Sequence, residues 1–156
     1  MLKDTMLYLA RQDGIRQFVM QNAAARKMAR RFVAGETLDE AIAVTHALNG
    51  EHISVSLDHL GENVADANEA EATATGYIEI LDRIAAEGAE ANISVKPTAL
   101  GLDIGYDLCR DNLTRVLRRA DDLGIFVRVD MEGSDYTQRT IDLVTGLHET
   151  FPNVGT

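Results

Sequence analysis

The chain has 156 residues, a formal net charge of −10 and an isoelectric point near 4.7, which argues against a broad surface for nucleic acid or an anionic membrane. A single cysteine, Cys109, excludes an internal disulfide and suits a reducing compartment. The amino terminus does not match a signal peptide, and no run approaches the ~18 apolar residues of a membrane span, so a single-domain cytosolic protein is expected.

Residues 1–50 are predicted to form amino-terminal helices, because strong helix formers dominate and no proline interrupts them. Thr37-Leu38-Asp39-Glu40 matches a capping box, with Thr37 as the N-cap and Glu40 reaching back to it. The helix that starts there is expected to end at Asn49-Gly50.

Residues 51–156 are predicted to contain three strand–helix units, spaced by on the order of 35 residues, which is the scale of a βαβ crossover. The three helices are expected over roughly 64–86, 107–123 and 136–151, with Gly88 and Gly124 ending the first two. The side chains expected to face the core are Tyr77, Ile78, Leu81 and Ile84, then Leu113, Val116, Leu117 and Ala120, then Ile141, Val144 and Leu147.

The three predicted strands alternate between an apolar and a polar face. In the first, Ile53, Val55 and Leu57 oppose Ser54, Ser56 and Asp58, and the strands around residues 93–98 and 126–130 follow the same rule. An open or antiparallel sheet with one solvent-exposed face would give this pattern. A (β/α) barrel with a ligand cavity would give it too, and the intervening helices favour the barrel because they indicate parallel neighbours.

Each predicted strand ends on a charged residue: Asp58, Lys96 or Asp130. Parallel α/β proteins place their chemistry at the carboxyl ends of strands, and neighbouring strands lie about 4.8 Å apart. If the strands are neighbours in chain order, Lys96 is expected to lie between Asp58 and Asp130, which would keep its ammonium group charged. The cluster is either a receptor for a substrate carboxylate or an ion cluster that only satisfies itself, and the residues alone leave both open.

Five segments, in matching order and spacing, together resemble the proline dehydrogenase family. Two of the segments contain the second and third predicted strands and the residues that follow them. The segments are Phe32-Val33-Ala34-Gly35-Glu36, Leu57-Asp58-His59-Leu60-Gly61-Glu62-Asn63-Val64, Ile93-Ser94-Val95-Lys96-Pro97-Thr98-Ala99-Leu100-Gly101-Leu102, Val127-Arg128-Val129-Asp130-Met131-Glu132-Gly133-Ser134 and Phe151-Pro152-Asn153-Val154-Gly155.

The resemblance implies an FAD enzyme on a distorted (β/α)8 barrel of the TIM type. Such an enzyme oxidises L-proline to 1-pyrroline-5-carboxylate by transferring a hydride to the flavin, and its electrons pass to a membrane quinone. The expected location is therefore the cytoplasm, with peripheral contact at the inner membrane. No partner role for nucleic acid is expected, and no cysteine or histidine pair has the spacing of a zinc site.

Three residues inherit roles from the resemblance. Lys96 corresponds to the family's substrate-binding lysine, which pairs with the proline carboxylate. Asp130 corresponds to a catalytic-site aspartate, and the backbone at Met131 corresponds to a position that borders the flavin. Asp58 inherits no role and is held as a supporting charge, whereas Pro97 stands where the family commonly has an apolar residue that is not proline.

Length is the larger departure from the family, since a complete barrel domain needs roughly 250 residues. We therefore expect residues 51–156 to be the first three βα units of an incomplete barrel, its amino-terminal half, with the carboxyl-terminal half missing and the fourth strand due to begin near Thr156. Such a chain is expected to be catalytically inactive alone and to bind FAD weakly or not at all. The alternatives are another barrel enzyme acting on a small carboxylate and a non-catalytic, self-associating fragment.

Overall fold

The structure is a computed structural model that describes residues 35–61 and 64–156. The compact unit that contains the sheet spans Ile42–Thr156. The predicted helices within residues 1–34 lie outside the described residues. The elements, in chain order, are α1 (Leu38–Asn49), β1 (Val55–Asp58), α2 (Ala67–Glu87), β2 (Ala91–Val95), α3 (Tyr106–Leu123), β3 (Val127–Val129), a 3₁₀ turn (Ser134–Tyr136), α4 (Thr137–His148) and β4 (Val154–Gly155).

Helix α1 begins with the predicted capping box. The Glu40 N–H donates to Thr37 Oγ1 at 3.3 Å, and the Glu40 carboxylate accepts from the backbone N–H of Glu36 at 2.9 Å. Glu40 thus reaches back one residue further than the standard motif, in which it would meet the N–H of the N-cap itself. The helix ends at Asn49, as expected.

Four parallel strands form one sheet in the order β1-β2-β3-β4. The register aligns Leu57 with Ile93, Ile93 with Val127, and Val127 with Val154. Three strands were predicted, with a fourth due to begin near Thr156, and the structure confirms this, since the fourth strand begins at Val154 and pairs with β3. Two residues are too short a run to show the alternation that would identify its first residue in the sequence.

Helices α2 and α3 follow the prediction closely. Gly88 and Gly124 end them in the left-handed conformation, with φ of 62° and 67°. Helix α2 starts at Ala67 rather than near residue 64, because Asp66 caps it by accepting the N–H of Glu69 at 3.0 Å. The predicted inward direction of Ile141 is wrong: it is 41% exposed, whereas Thr140, Leu143, Val144 and Leu147 form the buried stripe of α4.

The core lies on one face of the sheet. Leu57, Ile93, Val95, Val127 and Val129 are buried there, as their predicted parity required. Ile53 is the exception, because it precedes β1 and is 46% exposed. On the opposite face Ser56 and Arg128 are exposed, so the crossover helices cover only one side, as they do in a barrel. Over the described ranges, no helix combines the length and the apolar character that crossing a membrane requires.

Candidate active site

Three charged side chains meet at the carboxyl end of the sheet. Asp58 is the last residue of β1, and Lys96 and Asp130 directly follow β2 and β3. Lys96 Nζ donates to Asp58 Oδ2 at 2.5 Å and to Asp130 Oδ2 at 3.2 Å. The structure therefore places the ammonium group between the two carboxylates, as the strand order predicted, and we refer to these three residues as the triad.

The triad is partly shielded from solvent. The Lys96 side chain is 14% exposed, against 34% for Asp58 and 30% for Asp130. Burial by itself lowers the pKa of Lys96, but the hydrogen bonds and charges of Asp58 and Asp130 outweigh it, so the pKa lies above its usual range. Lys96 is therefore a fixed cation at neutral pH, and the triad as a whole carries one surplus negative charge.

Asp130 is held by more than Lys96. Its Oδ1 accepts a hydrogen bond from the hydroxyl of Ser94, and its backbone N–H donates to the carbonyl of Val95 at 2.9 Å. Ser94 is buried on the polar face of β2, two residues before Lys96. Sequence reasoning placed Ser94 on that face without assigning it to the site, although its position two residues before Lys96 was the available signal.

Glu132 joins the loops after β2 and β3, a connection that sequence reasoning missed. One carboxylate oxygen accepts the Thr98 N–H at 2.9 Å, and the other accepts the Thr98 hydroxyl at 2.6 Å. Glu132 and Thr98 each lie two residues beyond a charged member of the triad. That common offset of two is the sequence feature that could have identified the pair.

The loop between Lys96 and α3 is anchored from several directions. Its Leu100 carbonyl accepts from Asn112 at 3.2 Å, and its Leu102 carbonyl accepts from Arg139 at 2.5 Å. Gly101 has a φ of 96°, and a Cβ there would lie 2.9 Å from a methyl carbon of Leu108, so only glycine fits without rearrangement. The segment that follows Lys96 is thus rigid, which fixes the direction from which the lysine enters the site.

Pro97 is accommodated because it lies just beyond β2, where the sheet does not need its missing N–H. Its carbonyl accepts the Leu102 N–H at 3.0 Å and the Cys109 thiol at 3.5 Å. Cys109 is buried, and this burial raises the pKa of its thiol to about 12, so the residue packs in the core as an uncharged thiol. Met131 follows Asp130 at the same end of the sheet and is 46% exposed, and its role beside a flavin stays a prediction.

No group of histidine, cysteine, aspartate and glutamate within residues 35–61 and 64–156 has the arrangement of a metal site.

We expect the stability of the fold to decline as the pH rises from about 8.5 towards 12. Burial raises the pKa values of Tyr77 and Cys109, and the triad raises that of Lys96. In the unfolded chain tyrosine, cysteine and lysine titrate at about 10, 8.5 and 10.4. Above those pH values the folded state therefore retains more protons than the unfolded state. Urea unfolding at pH 7.5 and pH 10 measures the difference, and Cys109→Ala should reduce it. Equal free energies of unfolding at both pH values would contradict the raised pKa values of these three groups.

Glu132→Ala is expected to release the loop after Lys96. Hydrogen bonds to a charged group contribute about 1.5–3 kcal/mol each, so the amide of Thr98 should exchange with solvent at least about tenfold faster. Amide hydrogen exchange followed by NMR measures this. Glu79→Ala, which removes an exposed carboxylate from the middle of α2, is the matched control and should leave Thr98 unchanged.

Known proteins provide an independent comparison. The family profile of proline dehydrogenase matches residues 41–154. Proline dehydrogenase 2 of Bacillus subtilis (strain 168) is 31% identical over 154 residues, which cover 99% of this chain and 50% of the relative. The proline dehydrogenase of Deinococcus radiodurans is 29% identical over 144 residues, which cover 90% and 45%. The chain thus spans about half the length of the curated relatives it matches.

Among solved structures, proline utilization A (PutA) from Bdellovibrio bacteriovorus, inactivated by N-propargylglycine, superimposes with a TM-score of 0.73 and 27% identity. The match covers 80% of this chain and 15% of that protein. This likeness and the parallel sheet confirm the predicted α/β fold, which is part of a (β/α)8-type barrel.

Proposed function

The chain belongs to the proline dehydrogenase family, and on this basis we propose that its site serves the FAD-dependent oxidation of L-proline to 1-pyrroline-5-carboxylate. The observation that carries the proposal is the position of Lys96, held at 2.5 and 3.2 Å between two carboxylates at the carboxyl end of a parallel sheet. A cation fixed in this way is a suitable receptor for the carboxylate of an amino acid.

The charges of the triad suit a zwitterion. Lys96 would pair with the proline carboxylate, while the surplus negative charge of Asp58 and Asp130 favours a cationic amine nearby. We assign Asp130 to the catalytic site because it accepts a hydrogen bond from Lys96, the proposed carboxylate receptor, at 3.2 Å and so orients it. We do not assign it as the general base, since the amine needs only to lose its proton before or during the oxidation.

The residues beside the triad suit a flavin. Met131 exposes an apolar side chain beside Asp130, at the open end of the sheet, which is a suitable surface for a ring system. When bound, FAD supplies the acceptor for the hydride that leaves the ring carbon beside the nitrogen. The role of this chain is to bind L-proline through Lys96 and Asp130 and to orient it towards the flavin.

A quinone at the membrane is the proposed final electron acceptor. A cytoplasmic enzyme in peripheral contact with the inner membrane would meet both L-proline and that quinone. Family membership supports this part of the proposal, which no contact within the described residues tests.

The test uses two proteins. One is the 156-residue chain, and the other is the same chain joined to the part of the Bacillus subtilis relative that the match does not cover, which we call the joined protein. We expect bound flavin absorbance and proline-dependent dye reduction in the joined protein, and neither in the chain alone. A joined protein that binds FAD but does not oxidise proline would contradict the proposal. Oxidation of a different small carboxylate would favour another barrel enzyme, and stable self-association of the chain would favour a non-catalytic fragment.

A further inference from the structure

Tyr77 is a buried polar residue that the proposed function does not use. It lies in α2 with none of its surface exposed. Within residues 35–61 and 64–156 its hydroxyl has no hydrogen-bond partner. A buried hydroxyl without a partner is unfavourable, and phenylalanine would fill the same space without that cost.

The Tyr77 ring packs against the residue that follows Asp58. Its edge packs against the His59 ring, with centroids 6.0 Å apart and planes at 87°. His59 immediately follows Asp58. Burial chiefly raises the pKa of Tyr77, and the charge of Asp58 raises it further. The backbone N–H of Lys96 lowers it, because it approaches the hydroxyl oxygen, although without the geometry of a hydrogen bond. The hydroxyl therefore stays protonated and keeps a proton to donate.

Other charged groups face the hydroxyl more weakly. Asp130 and Glu132, from the loop after β3, also raise the pKa of Tyr77. All three carboxylates act in the same direction, so the hydroxyl is a neutral donor in a negative environment. Asp58 is the carboxylate with the largest effect on it.

Among the described residues, Asp58 has an acceptor oxygen without a donor, and Tyr77 has a donor without an acceptor. Asp58 Oδ2 accepts from Lys96, but Asp58 Oδ1 accepts from no donor in the described part of the chain. If Lys96 turns to a ligand carboxylate, Asp58 also loses its hydrogen bond to Lys96 and becomes a partly buried carboxylate in need of a donor.

We propose that Tyr77 is a positioning residue of this site, whose hydroxyl donates to Asp58 when Lys96 turns from Asp58 to a ligand carboxylate. This deepens the proposed function and rests on it, because it requires Lys96 to bind the carboxylate. The hydroxyl lowers the free-energy cost of separating Lys96 from Asp58, and in this way it strengthens ligand binding without touching the ligand.

The experiment uses the 156-residue chain labelled with ¹⁵N-lysine. The chain has three lysines, Lys3, Lys27 and Lys96, so the Lys96 ammonium signal can be assigned with Lys96→Arg. L-Proline should shift that signal in the wild type, whereas prolinamide, which lacks the carboxylate, should not. Tyr77→Phe should need about tenfold more L-proline for half of the shift.

Two further measurements separate positioning from simple packing. Tyr106→Phe, which removes the hydroxyl of a partly exposed tyrosine, should bind L-proline as the wild type does. Tyr77→Phe should be at least as resistant to urea as the wild type, because it removes a buried hydroxyl without a partner; lower resistance would overturn the inference in favour of a structural hydrogen bond.

If the L-proline concentration that gives half of the shift agrees within twofold between Tyr77→Phe and the wild type, the proposed role of Tyr77 is overturned, while the role of Lys96 stands. A wild-type Lys96 signal that L-proline does not move would overturn the carboxylate-binding role of Lys96, and the inference with it.

Discussion

Lys96→Met is expected to raise the KM for proline of the joined protein by about tenfold to a hundredfold. Methionine preserves the length of the side chain but removes the charge and all three donors. A hydrogen bond between charged groups contributes about 1.5–3 kcal/mol, and about 1.4 kcal/mol corresponds to a factor of ten. The substitution also leaves Asp58 and Asp130 without their shared cation, so both would repel a substrate carboxylate. Steady-state kinetics with a dye as electron acceptor measures the change.

Two variants serve as controls for Lys96→Met. Arg119→Met removes a surface cation that pairs with Asp82 at 2.6 Å, and it should leave the KM unchanged, because exposed ion pairs contribute little. Lys96→Arg retains the charge of the side chain but not its shape, so its KM for proline should lie between those of the wild type and Lys96→Met. A KM for proline in Lys96→Met equal to that of the wild type would refute the assigned role.

Asp130→Asn is expected to lower kcat/KM for proline by about tenfold to a hundredfold, and more than Asp58→Asn does. Asp130 accepts from both Ser94 and Lys96, and its backbone is tied to Val95, so it is the more rigid of the two carboxylates. Asparagine retains the shape but loses the charge that orients Lys96, a loss of about 1.5–3 kcal/mol. Asp58 is 34% exposed, so water can take over part of its role.

Ser94→Ala provides the comparison for Asp130→Asn. It removes one donor to Asp130 and keeps the carboxylate, so the fall in kcat/KM should be smaller than in Asp130→Asn. An Asp58→Asn variant that loses more activity than Asp130→Asn would show that the order of importance is the reverse.

The fold could be predicted largely because local patterns and global topology agree in this chain. Alternating strands fix which side chains face the helices, and Gly88 and Gly124 mark the helix ends. The error in α4 occurred where the local signal was ambiguous. The buried stripe of this helix starts at Thr140, a polar residue, so Ile141 was wrongly placed in the core.

The triad could be predicted because it depends on two local facts and one general rule. A charged residue lies at or directly after the end of each of the first three strands, a helix follows each of them, and consecutive parallel strands present their carboxyl ends together. The roles inherited from the family, namely substrate binding by Lys96 and flavin contact by Met131, remain predictions for the experiments above.

The sequence by itself thus determined the polar face of the strands and the charged residues at their ends, since period and spacing carry that information. The meeting of Asp58, Lys96 and Asp130 followed from it only with strands that are neighbours in chain order, an order that the tertiary structure decided. Only the tertiary structure decided that Ser94 binds Asp130, that Glu132 holds Thr98 and that Tyr77 packs against His59. These contacts join residues on different strands, loops and a helix. They depend on the strand register and on how α2 packs against the sheet, which no local pattern in the chain encodes.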